Sequence, residues 1–241
     1  MKLIFLLLLL SIPCFAVQKQ LRVAIVDTGL DLKDPRFTHL CPTGHKNFVK
    51  SETLDDINGH GTHVSGLIEL HAGKSNYCML IYKFYSDSIS GSSTTKNEVG
   101  AIREAIEDGA DVINLSEDGP EFDEDEAIII KYHPEVTFVV AAGNERKDLD
   151  IQGNQMYPAS LNYPNIVVVG SLDHNAKRSE YSNYGKKVEN WEVGEQVWSY
   201  LPNGKYGFMS GTSMSTAIAT GKLVDKLSKK GNNGVNNASQ H

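Results

Sequence analysis

The stretch Leu21-Arg-Val-Ala-Ile-Val-Asp27, followed by Thr28-Gly29, decides the fold. It is an almost continuous apolar run that ends in a carboxylate and a turn. A strand that is buried on both faces, as in the middle of a parallel sheet, is apolar along most of its length. Ligand sites of α/β proteins lie at the carboxyl ends of such strands. Asp27 is therefore a candidate site residue, and the alternative is a cap for the following turn.

Further apolar runs alternate with segments of helical spacing along the chain. We predict strands at 47–49, 78–85, 111–116, 136–142, 165–170 and 206–209, and helices at 62–70, 97–108, 124–132 and from 214 onward. The joints are turn-sized, and right-handed crossovers would lay the strands parallel in one sheet. The pattern predicts an α/β fold with a mostly parallel central sheet.

The composition suits one compact domain, which we place at 17–228. The chain has 241 residues, is 40% apolar and carries a formal net charge of −7. That length can bury a sizeable core. Lysine and arginine do not cluster into a stripe, so we expect no nucleic-acid partner.

The two ends differ in composition from the rest. Residues 1–16 contain the apolar run Leu3–Leu10 and small residues before Ala16, which is typical of a secretory signal peptide. We expect cleavage near Ala16, no membrane association afterwards, and a secreted or periplasmic protein. A buried N-terminal helix and lipidation at Cys14 are the alternatives. Residues 229–241 are polar and predict a disordered tail.

Two cysteines, Cys41 and Cys78, remain after the predicted cleavage. An even count in an exported protein permits a disulfide. Two free buried thiols are the other interpretation, and both remain open at this point.

The pair His60 and His63 invites a metal interpretation that the spacing does not support. The zinc pattern H-E-x-x-H needs a four-residue offset and a glutamate after the first histidine, and this chain has neither. We expect no metal and no cofactor. His60 is instead a candidate base at a helix entrance, and His63 a packed residue.

A second candidate group is the hydroxyl of Ser213 in Gly-Thr-Ser-Met-Ser at 211–215. The serine falls in the first turn of a predicted helix, where free backbone N–H groups favour negative charge. A hydroxyl alone is a weak nucleophile and needs a base and an orienting group. Without them, Ser213 would be an ordinary helix cap.

Asp27, His60, Asn144 and Ser213 all follow predicted strands or begin helices, so a parallel sheet would bring them to one edge. Acyl transfer uses this set of groups. The serine attacks a carbonyl, the imidazole moves the proton, and the carboxylate orients the imidazole. The amide of Asn144 and the backbone N–H of Ser213 would stabilise the oxyanion.

The segments around these groups resemble the four signature blocks of the subtilisin-like serine proteases. They are Asp-Thr-Gly at 27–29, His-Gly-Thr-His-Val-Ser-Gly at 60–66, Ala-Ala-Gly-Asn-Glu at 141–145 and Gly-Thr-Ser-Met-Ser at 211–215. They occur in that family's order, and the similarity runs from about residue 21 to residue 223.

The resemblance implies a subtilisin-like, three-layer αβα fold and a secreted serine endopeptidase that acts as a monomer on polypeptide substrates. Carried over by motif, Asp27, His60 and Ser213 are the triad and Asn144 is the oxyanion donor. The family's calcium-binding insertion after the histidine helix looks absent, so we expect no calcium at that position.

The resemblance also implies a substrate-binding wall at Ser116, Glu117 and Asp118, with Ala142 and Gly143 opposite. The family usually has a small apolar pair where this chain has Glu117 and Asp118. Two carboxylates beside the cleft would favour a lysine or arginine in the substrate near the cut. The alternative is that both side chains point to solvent.

Two other functions remain as alternatives. A catalytically inactive relative would serve as a binding or inhibitory module, although it would usually lack one of the four groups. An esterase would be expected to carry its serine in Gly-x-Ser-x-Gly, and 211–215 lacks the second glycine.

Overall fold

The structure is a computed structural model that describes residues 19–86 and 95–237, with side chains through residue 230. The signal peptide predicted at 1–16 lies outside the described residues.

The described residues form nine strands and four helices. In chain order they are β1 Leu21–Asp27, β2 Lys46–Asn47, α1 His60–Ala72, β3 Tyr77–Lys83, α2 Thr95–Glu107, β4 Val112–Leu115, α3 Glu124–Tyr132, β5 Thr137–Ala141, β6 Ile166–Leu172, β7 Val188–Val193, β8 Val197–Leu201, β9 Lys205–Met209 and α4 Thr212–Asn237.

Seven strands form one parallel sheet in the order β2-β3-β1-β4-β5-β6-β7. The strand β1 pairs with both β3 and β4, so it lies inside the sheet, as its apolar run predicts. Val26 pairs with Leu115, and Leu115 pairs with Val140. The residues that follow β1, β4 and β5 therefore share one edge.

The sheet is covered on both faces, because alternate residues of β1 enter two different cores. Ala24 and Val26 join a cluster that includes Ile102 of α2 and Ile130 of α3. Val23 and Ile25 join the opposite cluster with α1 and α4. The predicted α/β fold with a mostly parallel sheet is confirmed, and it has three layers.

A disulfide joins Cys41 to Cys78, which resolves the question that the sequence left open. The bridge ties the segment before β2 to the strand β3, with the two Cα atoms 4.9 Å apart. Both cysteines are buried.

The end of the chain differs from the prediction. The helix α4 continues through Asn237, so residues 229–237 are helical rather than a loose tail. A helix that has already formed adds one backbone hydrogen bond per residue without a new nucleation cost. None of the helices within 19–86 and 95–237 has the length and apolar character needed to span a membrane.

Candidate active site

Asp27 and His60 form a hydrogen-bonded pair at the carboxyl edge of the sheet. Asp27 is the last residue of β1 and is 1% exposed. Nδ1 of His60 lies 2.8 Å from Oδ1 and 3.0 Å from Oδ2 of Asp27. An ionised carboxylate only accepts hydrogen bonds, so Nδ1 carries the hydrogen. In the neutral ring, Nε2 is then left with a free lone pair, as a general base requires.

The position of His60 depends on close backbone contact between α1 and the turn after β1. A Cβ atom added at Gly61 would stand 2.5 Å from the carbonyl oxygen of Gly29. Only a glycine at position 61 permits this approach. The contact brings the start of α1 against the end of β1, which places the imidazole beside Asp27.

Asp56 is a buried carboxylate that the sequence analysis did not single out. Its hydrogen bonds connect the turn after β1 to the start of α1. Its Oδ1 accepts from the Thr28 hydroxyl at 2.9 Å and from the Gly59 N–H at 2.7 Å. Its Oδ2 accepts from the Thr62 N–H at 2.7 Å. The Thr28 hydroxyl oxygen in turn accepts from the Gly61 N–H at 2.8 Å. The sequence signal that could have identified Asp56 is its position four residues before His60.

The surroundings of His60 favour its charged form. Burial lowers its pKa, but the charge of Asp27 and the hydrogen bond to it act in the opposite direction. The more distant carboxylates of Glu117 and Asp56 add to this effect, and the pKa rises to about 9.

Ser213 is the second residue of α4 and is 8% exposed. Its hydroxyl donates to the carbonyl oxygen of Ser116 at 3.0 Å. Among the described residues, no hydrogen bond joins this hydroxyl to His60. The structure thus brings Asp27 and His60 into contact and leaves the serine hydroxyl turned toward the end of β4.

Buried polar groups fix α4 against β4. The Thr220 hydroxyl of α4 donates to Oδ1 of Asn114 at 2.8 Å. The amide nitrogen of Asn114 donates to the Ser116 hydroxyl at 2.8 Å. Asn114 is completely buried, so these bonds satisfy groups that would be costly to leave unpaired. The helix that carries Ser213 therefore has a fixed register on the sheet.

Hydrogen bonds from Thr212 to the side-chain oxygen of Asn144 fix the orientation of its carboxamide. Oδ1 accepts from the N–H of Thr212 at 2.9 Å and from its hydroxyl at 3.1 Å. The amide nitrogen lies on the other branch of the carboxamide and is available to a ligand. Asn144 itself is exposed, so a substrate oxygen can reach it.

Asn183 is a second residue that the sequence analysis missed, and it shapes the loop that carries Asn144. Its amide nitrogen donates to the carbonyl oxygen of Ala142 at 2.8 Å and to the carboxylate of Glu145 at 2.7 Å. Its oxygen accepts from the N–H groups of Glu145 and Lys147. Asn183 is completely buried. Nothing in its local sequence signals this role.

Gly143 lies where three side chains converge. Its φ of +96° is one that side-chain-bearing residues rarely adopt. A Cβ atom there would stand 2.3 Å from Nδ2 of Asn183, 2.6 Å from Oδ2 of Asp118 and 2.7 Å from Oε2 of Glu145. The backbone at this point therefore requires glycine.

Glu117 and Asp118 are half-buried, so neither side chain is simply directed to solvent. Burial raises the pKa of Glu117 to about 7, with the charge of Asp27 adding to it and that of His60 opposing it. Burial also raises the pKa of Asp118 to about 7, assisted by the charges of Glu145 and Glu117. Both carboxyl groups are thus poorly solvated.

His63 is completely buried, as the sequence predicted for a packed residue. Its Nε2 is 3.0 Å from the carbonyl oxygen of Val197 and 3.3 Å from that of Gly207. Burial lowers its pKa to about 4. Within 19–86 and 95–237, no three or more histidine, cysteine or acidic side chains are grouped so that they could hold a metal ion.

Comparisons with known proteins show the family to which this chain is similar. A sequence model of the subtilase family matches residues 18–240. The major intracellular serine protease of Bacillus subtilis (strain 168) is 33% identical, with coverage of 86% of this chain and 68% of the relative. Subtilisin DY of Bacillus licheniformis is 32% identical, with coverage of 86% and 77%.

Among solved structures, the crystal structure of a cold adapted subtilisin-like serine proteinase is similar with a TM-score of 0.75. It is 29% identical in sequence, and the match covers 88% of this chain and 76% of that one. The expected resemblance and the subtilisin-like fold are confirmed. The chain therefore belongs to the subtilase family of serine endopeptidases.

Proposed function

We propose that this chain is an exported, monomeric serine endopeptidase whose triad is Asp27, His60 and Ser213. The observation that carries the proposal is the pair of hydrogen bonds from His60 Nδ1 to the buried carboxylate of Asp27. This pair fixes the tautomer and ring orientation that a general base for serine needs.

Acylation begins with a rotation of the Ser213 side chain. The hydroxyl leaves the carbonyl oxygen of Ser116 and turns toward Nε2 of His60, which accepts its hydrogen bond. Oγ then attacks the peptide carbonyl carbon while Nε2 takes the proton. The imidazolium returns this proton to the leaving amine, and the peptide C–N bond breaks to give an acyl-enzyme. Water completes the reaction by the same proton transfers through His60.

The negative oxygen of the tetrahedral intermediate is stabilised by the amide nitrogen of Asn144 and the backbone N–H of Ser213. The bonds from Thr212 to Oδ1 of Asn144 support this assignment, because they direct the amide nitrogen away from Thr212. Donors that are fixed before the reaction need no reorganisation when the charge develops.

The substrate lies along the segment that follows β4. Ser116, Glu117 and Asp118 form one wall of the cleft, and Ala142 and Gly143 form the other. Proteins commonly bind an extended peptide through its backbone and select it by pockets for its side chains. Polypeptides are therefore the substrate class.

Export is supported by the composition of residues 1–16 and by the bond between Cys41 and Cys78. Disulfides persist mainly in oxidising compartments outside the cytosol. Because one relative is an intracellular protease by name, location needs its own test. N-terminal sequencing of protein from the medium and the periplasm should find a chain that starts just after Ala16. A full-length chain confined to the cytosol would contradict export.

Labelling with a fluorophosphonate probe tests the triad. The probe should modify Ser213, as shown by mapping of the labelled peptide, and labelling should be lost in Ser213→Ala and His60→Ala. Lys74→Ala, at an exposed position after α1, serves as a control that keeps labelling. A folded wild-type protein that is not labelled would favour the inactive binding module instead.

A further inference from the structure

An acidic pocket opens beside the cleft, at the carboxyl end of β4 and the N-terminal ends of α2 and α3. Its volume is about 350 Å³. Five of its described lining residues are acidic, namely Glu98, Glu117, Asp118, Glu121 and Glu126. Aromatic rings of Tyr85 and Tyr157 also line it, and its described lining includes no lysine or arginine. The pocket thus combines several carboxyl groups with aromatic rings.

Glu126 points to a ligand because one of its oxygens is buried without a partner. The residue is 4% exposed, and Oε1 accepts no hydrogen bond from the described residues. Its backbone N–H donates to the N-cap side chain of Asp123 at 2.9 Å, but Glu126 does not complete a capping box by bonding back. A buried carboxylate oxygen without a donor is costly, so its retention calls for an explanation.

Asp118 repeats this feature on the cleft side of the pocket. Its Oδ2 is also buried without a hydrogen-bond partner among the described residues. It lies over Gly143, which precedes the candidate oxyanion donor Asn144. Two residues that each have an unpaired carboxylate oxygen, one on α3 and one after β4, therefore line the same pocket.

The carboxyl groups of the pocket raise one another's pKa. Burial raises the pKa of Glu98 well above its ordinary range, and the charges of Glu126, Glu117 and Asp118 add to the effect. Burial likewise raises the pKa of Glu126, with Asp123 contributing. A cation placed among these groups would relieve both the repulsion and the unpaired oxygens.

The pocket adjoins the reacting groups. Glu117 follows Ser116, whose carbonyl oxygen accepts from the Ser213 hydroxyl. The charge of Glu117 also reaches His60, because it contributes to the raised pKa of that ring. A substrate that lies across Ser213 would therefore present a nearby side chain to the pocket.

We propose that this pocket binds a lysine or arginine side chain of the polypeptide substrate, so that cleavage depends on a basic residue close to the scissile bond. The proposal rests on the proposed endopeptidase function. The long apolar stem of such a side chain suits the tyrosine rings, and its charged end pairs with the carboxylates. Arginine fits best, because its guanidinium can donate to two carboxylates at once.

Matched peptides test the proposal on the full-length protein. The peptides carry either arginine or citrulline at one position, which is each of the four before the scissile bond and the two after it in turn. Citrulline has nearly the same shape as arginine but no charge. At one position, kcat/KM should be ~10-fold or more higher for arginine, the ratio expected when a charged hydrogen bond is lost. Equal rates at every position would overturn the proposal.

Variants connect the preference to the pocket. Glu126→Gln should reduce the ratio of kcat/KM for the arginine peptide to that for the citrulline peptide, and Glu117→Gln provides a second, independent variant. Glu124→Gln is the control, because Glu124 is exposed on the same helix. A preference that survives in both pocket variants would contradict the assignment. Fluorophosphonate labelling, measured on every variant, reports whether the reacting groups are intact.

Binding to Ser213→Ala separates this proposal from the proposed function. If the wild-type protein were not labelled by fluorophosphonate, the endopeptidase mechanism would fail. Calorimetry with the same peptides would still test the pocket. Tighter binding of the arginine peptide, with proton release as the carboxyl groups ionise, would support it. Equal binding of the arginine and citrulline peptides would contradict the pocket even if labelling were normal.

Discussion

The buried carboxylate of Asp56 accepts a hydrogen bond from the hydroxyl of Thr28 at 2.9 Å, and this bond connects the turn after β1 to the start of α1. The two halves of the Asp27–His60 pair are carried by these two segments. The geometry of the pair therefore depends on a residue that does not itself touch His60.

Asp56→Ala should destabilise the protein and lower its activity. The change leaves the Thr28 hydroxyl and the N–H groups of Gly59 and Thr62 without their acceptor, for a cost of roughly 3 kcal/mol. Denaturant unfolding in a Ser213→Ala background measures this without self-digestion. Asp55→Ala is the matched control, since Asp55 is exposed and its loss should cost little. Similar stability of the two variants would contradict the role of Asp56.

Asn183→Ala should lower kcat more than it raises KM. The substitution removes the four hydrogen bonds that hold the loop carrying Asn144. A displaced oxyanion donor weakens binding of the transition state, for which we expect a loss of roughly 10- to 100-fold in kcat. Steady-state kinetics on a peptide substrate measures the effect. Asn175→Ala, at an exposed position, should behave like wild type, and an unchanged kcat in Asn183→Ala would count against the assignment.

We expect kcat/KM to increase with pH as His60 loses its proton, around its pKa of about 9. Only the neutral imidazole can accept the serine proton. Because the negative charge of Glu117 favours the imidazolium, Glu117→Gln should shift this rise to lower pH. Rate profiles between pH 6 and 10 test the shift, with Glu124→Gln as control. Superimposable profiles of wild type and Glu117→Gln would exclude the coupling.

Glu126→Gln should stabilise the folded state at pH 8 much more than at pH 5. Burial raises the pKa of Glu126 from 4.5 to about 7, so above pH 7 the folded protein holds a buried charge that is solvated after unfolding. The gain in the free energy of unfolding should be largest above pH 7, where the folded carboxyl group is charged. Below pH 7 the folded carboxyl is already neutral, so most of the gain is gone at pH 5. Denaturant unfolding of both proteins at pH 5 and pH 8, in the Ser213→Ala background, measures the gain in stability. A gain of the same size at both pH values would contradict this explanation.

Removal of the disulfide should reduce stability by about 4 kcal/mol, the chain-entropy value for a closed loop of this length. Cys41 and Cys78 are 37 residues apart in sequence. The double variant with alanine at both positions should unfold at a lower temperature than the parent chain. Adding a reductant should lower the unfolding temperature of the parent only. A parent chain that is insensitive to the reductant would show that the bond is absent or makes no contribution.

The sequence predicted the central sheet because its buried strands are apolar along most of their length. β1, β3, β4, β5 and β6 all follow this rule. The edge strand β7 was missed because it contains the exposed polar residues Glu189 and Asn190. The strand β8, which pairs antiparallel with β9, was missed because Trp198 is exposed and Ser199 is buried, the reverse of the usual pattern. β9 was predicted nearly to its bounds.

The site residues could be predicted from the sequence only where they lie in short motifs. Asn183 acts on Ala142 from 41 residues away, so no local pattern could link the two. The direction of the Ser213 hydroxyl was also beyond the sequence, because a choice of rotamer depends on the carbonyl group of Ser116 beside it. Glu126 has the spacing of a capping-box residue, and only the fold shows that it lines the acidic pocket.

The helix α4 contacts α1 and the strands β1, β4, β5, β6 and β7, and the proposed nucleophile Ser213 lies in its first turn. Such a central element cannot open by itself, so its backbone amides should be among the slowest to exchange with deuterium. Heat should therefore abolish catalysis and native structure within the same transition. We therefore expect that heating populates no folded but inactive form of the protein.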